Sequence, residues 1–346
     1  MKLLIDLQHP AHLHFFRQLI LRLEDEGNEV LITGRDKDIL VELADEFGLT
    51  VEVFGHARKG VWNLGKELVL RQWRLQQIIR KFKPDLMMAI AGTYISIPGR
   101  LLNVPTYIFY DTEHATLSNL LSYPFAKCIY LPRCYRKPVR WRHVLYNGYH
   151  ELAYLHPRYF TADKCVLKEV GLKEGEIFSI IRFVSWEAAH DIGRSGFSPD
   201  AKLRAVEELS RFGPVFISAE GPLPDELEKF RVPIKSSRLH HLMAFSALVF
   251  GESATMCSEG AVLGVPGIYV DPVGRGYTDE QEQDYGLVFN FTPARQEEAI
   301  AKGVSILNGY NKEYWREKGR CLIEEKIDVT DMLLRIARGK PLRGQD

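Results

Sequence analysis

Short apolar runs alternate along this chain with longer stretches in which apolar residues recur every three or four positions. Residues 3–7, 29–34, 50–54, 85–90, 105–110 and 127–131 read as strands. Between them Leu13, Phe16, Leu19, Ile20 and Leu23 fall on one helical face, as do Ile39, Leu43 and Phe47. Strands alternating with helices predict a parallel sheet covered on both faces. The period fails around 147–160, where Asn147-Gly148, Pro157 and several aromatic residues cluster. It then restarts as a second series, with strands at 177–182, 214–218, 248–250, 267–270 and 287–291 and helices near 201–212, 239–247, 256–263 and 294–307. The pattern predicts an α/β protein of two doubly wound, Rossmann-like domains facing a central cleft. Residues 1–150 and 161–310 form the domains, 151–160 the linker, and 311–346 terminal helices and a polar tail.

Composition supports two cores: of 346 residues, 46% are hydrophobic and 26% charged. No run approaches the ~20 apolar residues of a membrane span, and the first apolar run stops at Asp6, too early for a signal peptide. A cytoplasmic protein is expected. Five cysteines (Cys128, Cys134, Cys165, Cys257, Cys321) contain no C-x-x-C pair, which argues against a disulfide framework and a zinc site. The 45 basic and 45 acidic side chains cancel, so nucleic acid is not expected as a partner.

That balance hides an asymmetry. Up to residue 165 there are 22 basic against 17 acidic residues, and beyond it 23 against 28. The basic excess sits in residues 58–83, eight against Glu67 alone, and in 127–143, six against none. On a helix over 64–82, Leu64, Leu68, Leu75, Ile79 and Phe82 form a core stripe, while Lys66, Leu70, Trp73, Arg74 and Lys81 share another face. Basic and aromatic side chains together suit the headgroups of an anionic bilayer, as does the run 133–142. A merely solvated basic face is the plainer reading.

In doubly wound sheets ligands gather beyond the carboxyl ends of the strands. After the first strand comes Asp6-Leu7-Gln8-His9-Pro10-Ala11-His12-Leu13-His14, where His12 can serve as a general base or phosphate contact. The three histidines lack a closing ligand for a metal, so neither metal nor cofactor is expected. After the fourth strand lies the small, hydroxyl-bearing Ala91-Gly92-Thr93-Tyr94-Ile95-Ser96. After the fifth, Asp111-Thr112-Glu113-His114 offers Asp111 and Glu113 for acid–base work, or simply a helix cap.

In the second half Arg182 and Ser185 are the right types for a pyrophosphate, with a structural ion pair as the competing role of Arg182. Ser253 and Ser258 open a helix whose positive end suits phosphate, and Glu259 can accept hydrogen bonds from ribose hydroxyls. Asp279, Gln281 and Glu282, after the next strand, can meet sugar hydroxyls. Neither G-x-G-x-x-G nor G-x-x-x-x-G-K-[ST] occurs.

At these residues the chain resembles the two-domain GT-B superfamily. It is similar to the UDP-N-acetylglucosamine-dependent transferase that completes lipid-linked peptidoglycan precursor and to non-hydrolysing UDP-N-acetylglucosamine 2-epimerases. Within the superfamily it most resembles the "domain of unknown function 354" group of archaeal and bacterial proteins. Pro84-Asp85-Leu86 through Gly99 is similar to the transferase's fourth strand and glycine-rich turn, and Asn147-Gly148-Tyr149 with Leu152 and Pro157 to its linker. Ser258-Glu259 with Gly264-Val265-Pro266 resembles the donor motif whose Glu binds the uridine ribose. Asp279, Gln281 and Glu282 fall on an Asp-x-Gln-Gln pattern that contacts the donor sugar, Glu282 replacing the second amide.

Two departures stand out. Gln8, His9 and Pro10 occupy glycine positions of the transferase's first loop, and Gly92 stands where the epimerases carry an acid–base Asp. The resemblance implies a nucleotide-sugar donor, UDP-linked, whose sugar passes to an acceptor deprotonated by His12, Asp111 or Glu113. If the basic face meets a membrane, the acceptor is lipid-linked and the protein peripheral at the inner face. An epimerase or hydrolase, and a non-catalytic nucleotide-sugar-binding protein of glycan assembly, are the alternatives.

Overall fold

The computed structural model describes residues 1–36, 39–56, 61–113, 119–120, 122–138, 142–183, 196–219 and 221–340, without the side chains of 36, 55–56 and 61–67. Ser185 lies outside the described residues, as do His114, Arg140, Trp141, Trp186, His190, Asp191 and the side chains of Leu64 and Lys66. The chain forms two compact units, Met1–Tyr154 with Ile327–Asp346, and Leu155–Lys326.

Among the described residues the first unit is built on seven strands: β1 (Lys2–Leu7), β2 (Glu29–Asp36), β3 (Glu52–His56), β4 (Leu86–Ile90), β5 (Thr106–Phe109), β6 (Cys128–Pro132) and β7 (His143–Tyr146). They lie in the order β3-β2-β1-β4-β5-β6-β7, and every neighbouring pair is parallel. The second unit carries β8 (Ser179–Arg182), β9 (Val215–Ser218), β10 (Leu248–Gly251), β11 (Gly267–Val270) and β12 (Val288–Phe291) in the parallel order β12-β11-β10-β8-β9. These are the two doubly wound sheets that the alternating pattern predicts. Central strands such as β4 and β10 are buried at every residue, which is why they read as unbroken apolar runs. Strand order reverses beside β1 and β4 in one sheet and β8 and β10 in the other. Loops beyond their carboxyl ends therefore stand at the positions where such sheets take ligands.

β7 was not apparent from the pattern. It has four residues, of which Tyr146 alone is buried, and it follows a strongly basic stretch. The loop after β1 also has a local cause: His9 caps the helix Pro10–Asp25, its Nδ1 accepting from the Ala11 N–H at 3.2 Å, and Pro10 opens the first turn. Residues at the glycine positions of the transferase loop thus start a helix here. After β4 the turn takes Ala91 (φ 64°) and Gly92 (φ 65°) into the left-handed region, and a Cβ on Gly92 would lie 2.6 Å from Ile108 Cδ1.

The terminal helices, expected together over 311–338, are divided between the units. Lys312–Glu325 belongs to the second and Val329–Ala337 to the first. The latter is capped by Asp328, buries Val329, Met332, Leu333 and Ile336, and packs on Pro10–Asp25. Its Thr330 hydroxyl donates to the Ala153 carbonyl at 2.6 Å, and Ile327 N–H donates to Asn147 O at 2.9 Å. Along the helix Val61–Phe82, Leu75 and Ile79 are buried as the stripe requires, but so is Arg71, at 2% exposure. One of the eight basic residues of 58–83 is therefore an interior group.

Candidate functional site

At the carboxyl edge of the five-stranded sheet, Arg182 ends β8 beside Gly251, which ends β10. Gly251 has φ 145°, and a Cβ there would lie 2.0 Å from the Arg182 carbonyl oxygen, so only glycine lets the two strand ends approach this closely. Ser253 then caps the helix Ala254–Val262, its Oγ accepting from the Met256 N–H at 3.3 Å. Arg182 Nη1 donates to Ser218 Oγ at 3.3 Å.

Deeper in the same unit, Ser258 and Gln281 are both fully buried, and Gln281 Nε2 donates to Ser258 Oγ at 2.7 Å. Gln281 Oε1 has no hydrogen-bond partner among the described residues. Glu259, 4% exposed, meets His240: its Oε1 lies 2.8 Å from Nε2. Glu282 accepts from Asn290 Nδ2 at 2.8 Å, and Asp279 is half-buried in the helix Gly276–Gln283. The structure thus brings Ser258 to Gln281 by a direct bond and sets Ser253 a helical turn and a half from Ser258. It leaves Ser258, Glu259 and Gln281 in the interior rather than on the loop surface.

Sequence reading missed His240 and also the pair Lys202 and Glu252. Lys202 Nζ lies 3.3 Å from Glu252 Oε1, with both side chains under one-tenth exposed, and the same oxygen accepts from Phe197 N–H at 2.7 Å. Burial pushes the lysine pKa down and the carboxylate opposes it. A lysine in a helix of ordinary amphipathic spacing gives no signal of this.

The edge of the seven-stranded sheet holds a second group. Asp6, fully buried at the end of β1, accepts from Arg71 Nη2 and from Thr33 Oγ1, each at 2.9 Å. The Arg71 guanidinium lies 4.3 Å from the Tyr94 ring, and its Nε and Nη1 have no hydrogen-bond partner among the described residues. His12 Nδ1 accepts from the Gln8 N–H at 3.3 Å. Past β5, Asp111 Oδ2 lies 3.1 Å from His150 Nδ1, while Thr112 Oγ1 donates to Asp111 Oδ1 at 3.0 Å. Burial would raise the Asp111 pKa, but His150, the Thr112 hydroxyl and His12 outweigh it and hold the carboxyl at about 2. Glu113, 2% exposed, accepts from Arg136 N–H at 3.4 Å. Of the three acid–base candidates, then, Asp111 is tied to an unpredicted histidine, His12 is bonded by its own loop, and Glu113 faces another segment. Among the described residues no cluster of His, Cys, Asp or Glu is arranged to hold a metal ion, and no helix is long and apolar enough to cross a membrane.

The profile of a family described as "Protein of unknown function (DUF354)" matches residues 1–190. An uncharacterized protein of Methanocaldococcus jannaschii is 27% identical over 286 residues, 78% of this chain and 81% of that protein. The UDP-N-acetylglucosamine–N-acetylmuramyl-(pentapeptide) pyrophosphoryl-undecaprenol N-acetylglucosamine transferase of Syntrophotalea carbinolica is 30% identical over 120 residues, 31% of this chain and 33% of the transferase. Among solved structures, a UDP-GlcNAc 2-epimerase from Neisseria meningitidis bound to UDP-GlcNAc aligns with TM-score 0.68 at 12% identity, covering 98% of this chain and 100% of that one. That likeness is one of fold, and the fold is GT-B.

Proposed function

The chain belongs to the DUF354 family, and from its chemistry we propose a role for it: a glycosyltransferase that takes a nucleotide-sugar, UDP-linked, as donor. The single observation that carries the reading is the loop after β10. There Gly251 allows the backbone to close on Arg182, and Ser253 opens a nine-residue helix whose amide end favours a diphosphate. Arg182 and Ser253 are assigned to the pyrophosphate, with Ser185, which closely follows Arg182 in sequence. Glu259 is assigned to the ribose, and Asp279 and Glu282 to the sugar. Ser258 and Gln281 fix the helix that presents them. The acceptor is assigned to the first unit, with its hydroxyl deprotonated at the edge that holds His12, Asp111 and Glu113.

The transferase and epimerase relatives act on, or are bound to, UDP-N-acetylglucosamine, which supports the donor class. Between the two reactions, Gly92 favours transfer, because the epimerase-like reading assigns an acid–base carboxylate to that position. A lipid-linked acceptor and a peripheral place at an anionic membrane follow if the exposed Val69, Leu70 and Trp73, next to Arg74, meet lipid.

The test is a thermal-shift panel of nucleoside diphosphates and their sugars on wild type and Glu259→Ala. Stabilisation of the wild type by uridine diphosphate species, lost in the variant, is expected. No stabilisation by any uridine or thymidine diphosphate overturns the donor site.

A further inference from the structure

A groove of about 390 Å³ lies within the second unit, at the low end of the roughly 300–1,000 Å³ of small-molecule sites. Every residue that lines it falls in Leu155–Lys326. Leu155, Pro157 and Phe160 come from one segment, Ala244, Val262 and Leu263 from the ends of two helices, and the rest from the helix Lys312–Glu325. On that helix the lining residues Glu313, Arg316, Arg320 and Ile323 recur every three or four positions and so share one face. The frame is stiff. Gly264 takes φ 70°, and a Cβ on Gly319 would lie 2.7 Å from the Gly264 Cα, so the helix rests backbone to backbone on the turn that ends Ala254–Val262.

The lining combines apolar surface with an excess of positive charge. Phe160, Leu263 and Ile323 are only half-buried, so each keeps apolar surface in water. Arg320 is paired with Glu317 on its own helix. Arg316 is exposed and makes no hydrogen bond or ion pair among the described residues, and the same holds for Lys312, whose ammonium lies 5.9 Å from the Phe245 ring. Burial lowers the Lys312 pKa, and the Arg316 charge lowers it further. Glu313 is in reach of both and pairs with neither, while Lys164 and Glu174, also in reach of Lys312, neutralise each other. Two cations therefore stand against one carboxylate. A neutral apolar ligand leaves that excess uncompensated, and a small anion leaves the apolar surface wet.

We infer that this groove binds a single-chain anionic amphiphile, one molecule at a time, with its aliphatic chain against Phe160, Leu263 and Ile323 and its head at Arg316 and Lys312. An alkyl phosphate and a fatty carboxylate share that chemistry. The volume suits one chain, not a two-chain lipid or a length of protein. The inference stands apart from the nucleotide-sugar reading: Leu263 and Ser253 lie at opposite ends of Ala254–Val262, ~15 Å apart along the helix axis.

The experiment is calorimetry of the full chain with decyl phosphate and with decanoate, both below their micelle concentrations. One molecule bound per chain is expected, and the tighter of the two names the head. Octyl phosphate is expected to bind about two- to fourfold more weakly for each methylene removed. Decanol and inorganic phosphate, which each lack one half of the ligand, are expected to bind at least about tenfold more weakly than decyl phosphate. Arg316→Glu is expected to weaken decyl phosphate about fivefold or more, Arg316→Lys to restore most of the loss, and Ile323→Ser to flatten the dependence on chain length. Melting temperatures confirm that these surface variants fold. Several molecules bound per chain, equal affinity for decanol, or binding indifferent to both Arg316→Glu and Ile323→Ser overturns the site. So does the absence of binding by either amphiphile, and flotation with anionic vesicles that Arg316→Glu abolishes would then assign the face to a bilayer instead.

Discussion

Glu259 and His240 are bound to each other in the interior of the second unit, 2.8 Å apart across a helix–helix contact. Neither residue is fully interchangeable with an apolar one, because the two share a buried hydrogen bond. His240→Ala is expected to cost about 1.5–3 kcal/mol of stability, the range for a hydrogen bond to a charged group, read by urea denaturation. Glu259→Gln keeps a hydrogen-bonding oxygen opposite His240, so it is expected to fold near wild type and yet bind UDP at least about tenfold more weakly, a loss of ~1.4 kcal/mol. Calorimetry on the two variants separates the structural half of the pair from its binding half.

The Asp6 and Arg71 pair makes a second prediction. Each group alone becomes an uncompensated charge in the core, so Asp6→Asn and Arg71→Met are each expected to destabilise by about 3–5 kcal/mol. The double variant is expected to be more stable than the sum of the singles implies, because it removes both charges together. Denaturant midpoints for the four proteins give the coupling directly.

Stability should also follow pH through Asp111 and His150. Asp111 has a folded pKa near 2, below its ordinary 3.8, so its contribution is present above 3.8 and is lost as pH falls toward 2. His150 has a raised folded pKa, so its contribution is full below 6.5 and is lost as pH rises through the folded value. The gap in melting temperature between wild type and Asp111→Asn is therefore expected to be widest between about pH 4 and 6.5 and to narrow on both sides.

Trp73, 57% exposed beside Leu70 at 60%, tests the membrane reading. Flotation with vesicles containing anionic lipid is expected to carry the protein upward. Trp73→Ala and Arg74→Glu should each reduce the bound fraction, and raised salt should reduce it further. No flotation with anionic vesicles, or binding that ignores both substitutions, would mark the face as solvated.

The fold was legible in the sequence because burial on both sides of a parallel strand leaves an uninterrupted apolar run, as in β4 and β10. What stayed hidden is physical in origin. β7 is too short and too exposed to carry a pattern, and the return of Val329–Ala337 to the first unit depends on contacts that no local period encodes. At the site, Asp111 could be singled out because it follows a strand, and Glu259 because it stands inside a helix that small and hydroxyl residues open after a strand. Their partners could not, since His150 and His240 lie 39 and 19 positions away in sequence. Arg71 belongs to neither face that the helical period defines, and nothing in a basic helix marks a cation whose counter-charge sits on a distant strand.

The division of the first unit into two stretches of chain has a consequence for synthesis. All seven strands and the helix Pro10–Asp25 leave the ribosome before the segment that covers that helix, with the whole of Leu155–Lys326 made in between. At ordinary elongation rates that interval is roughly 10–30 s, far longer than collapse of the sheet requires. During it, the apolar surface later covered by Val329, Leu333 and Ile336 is open to water and to other nascent chains. The first unit is therefore completed only after the whole of its neighbour has been made.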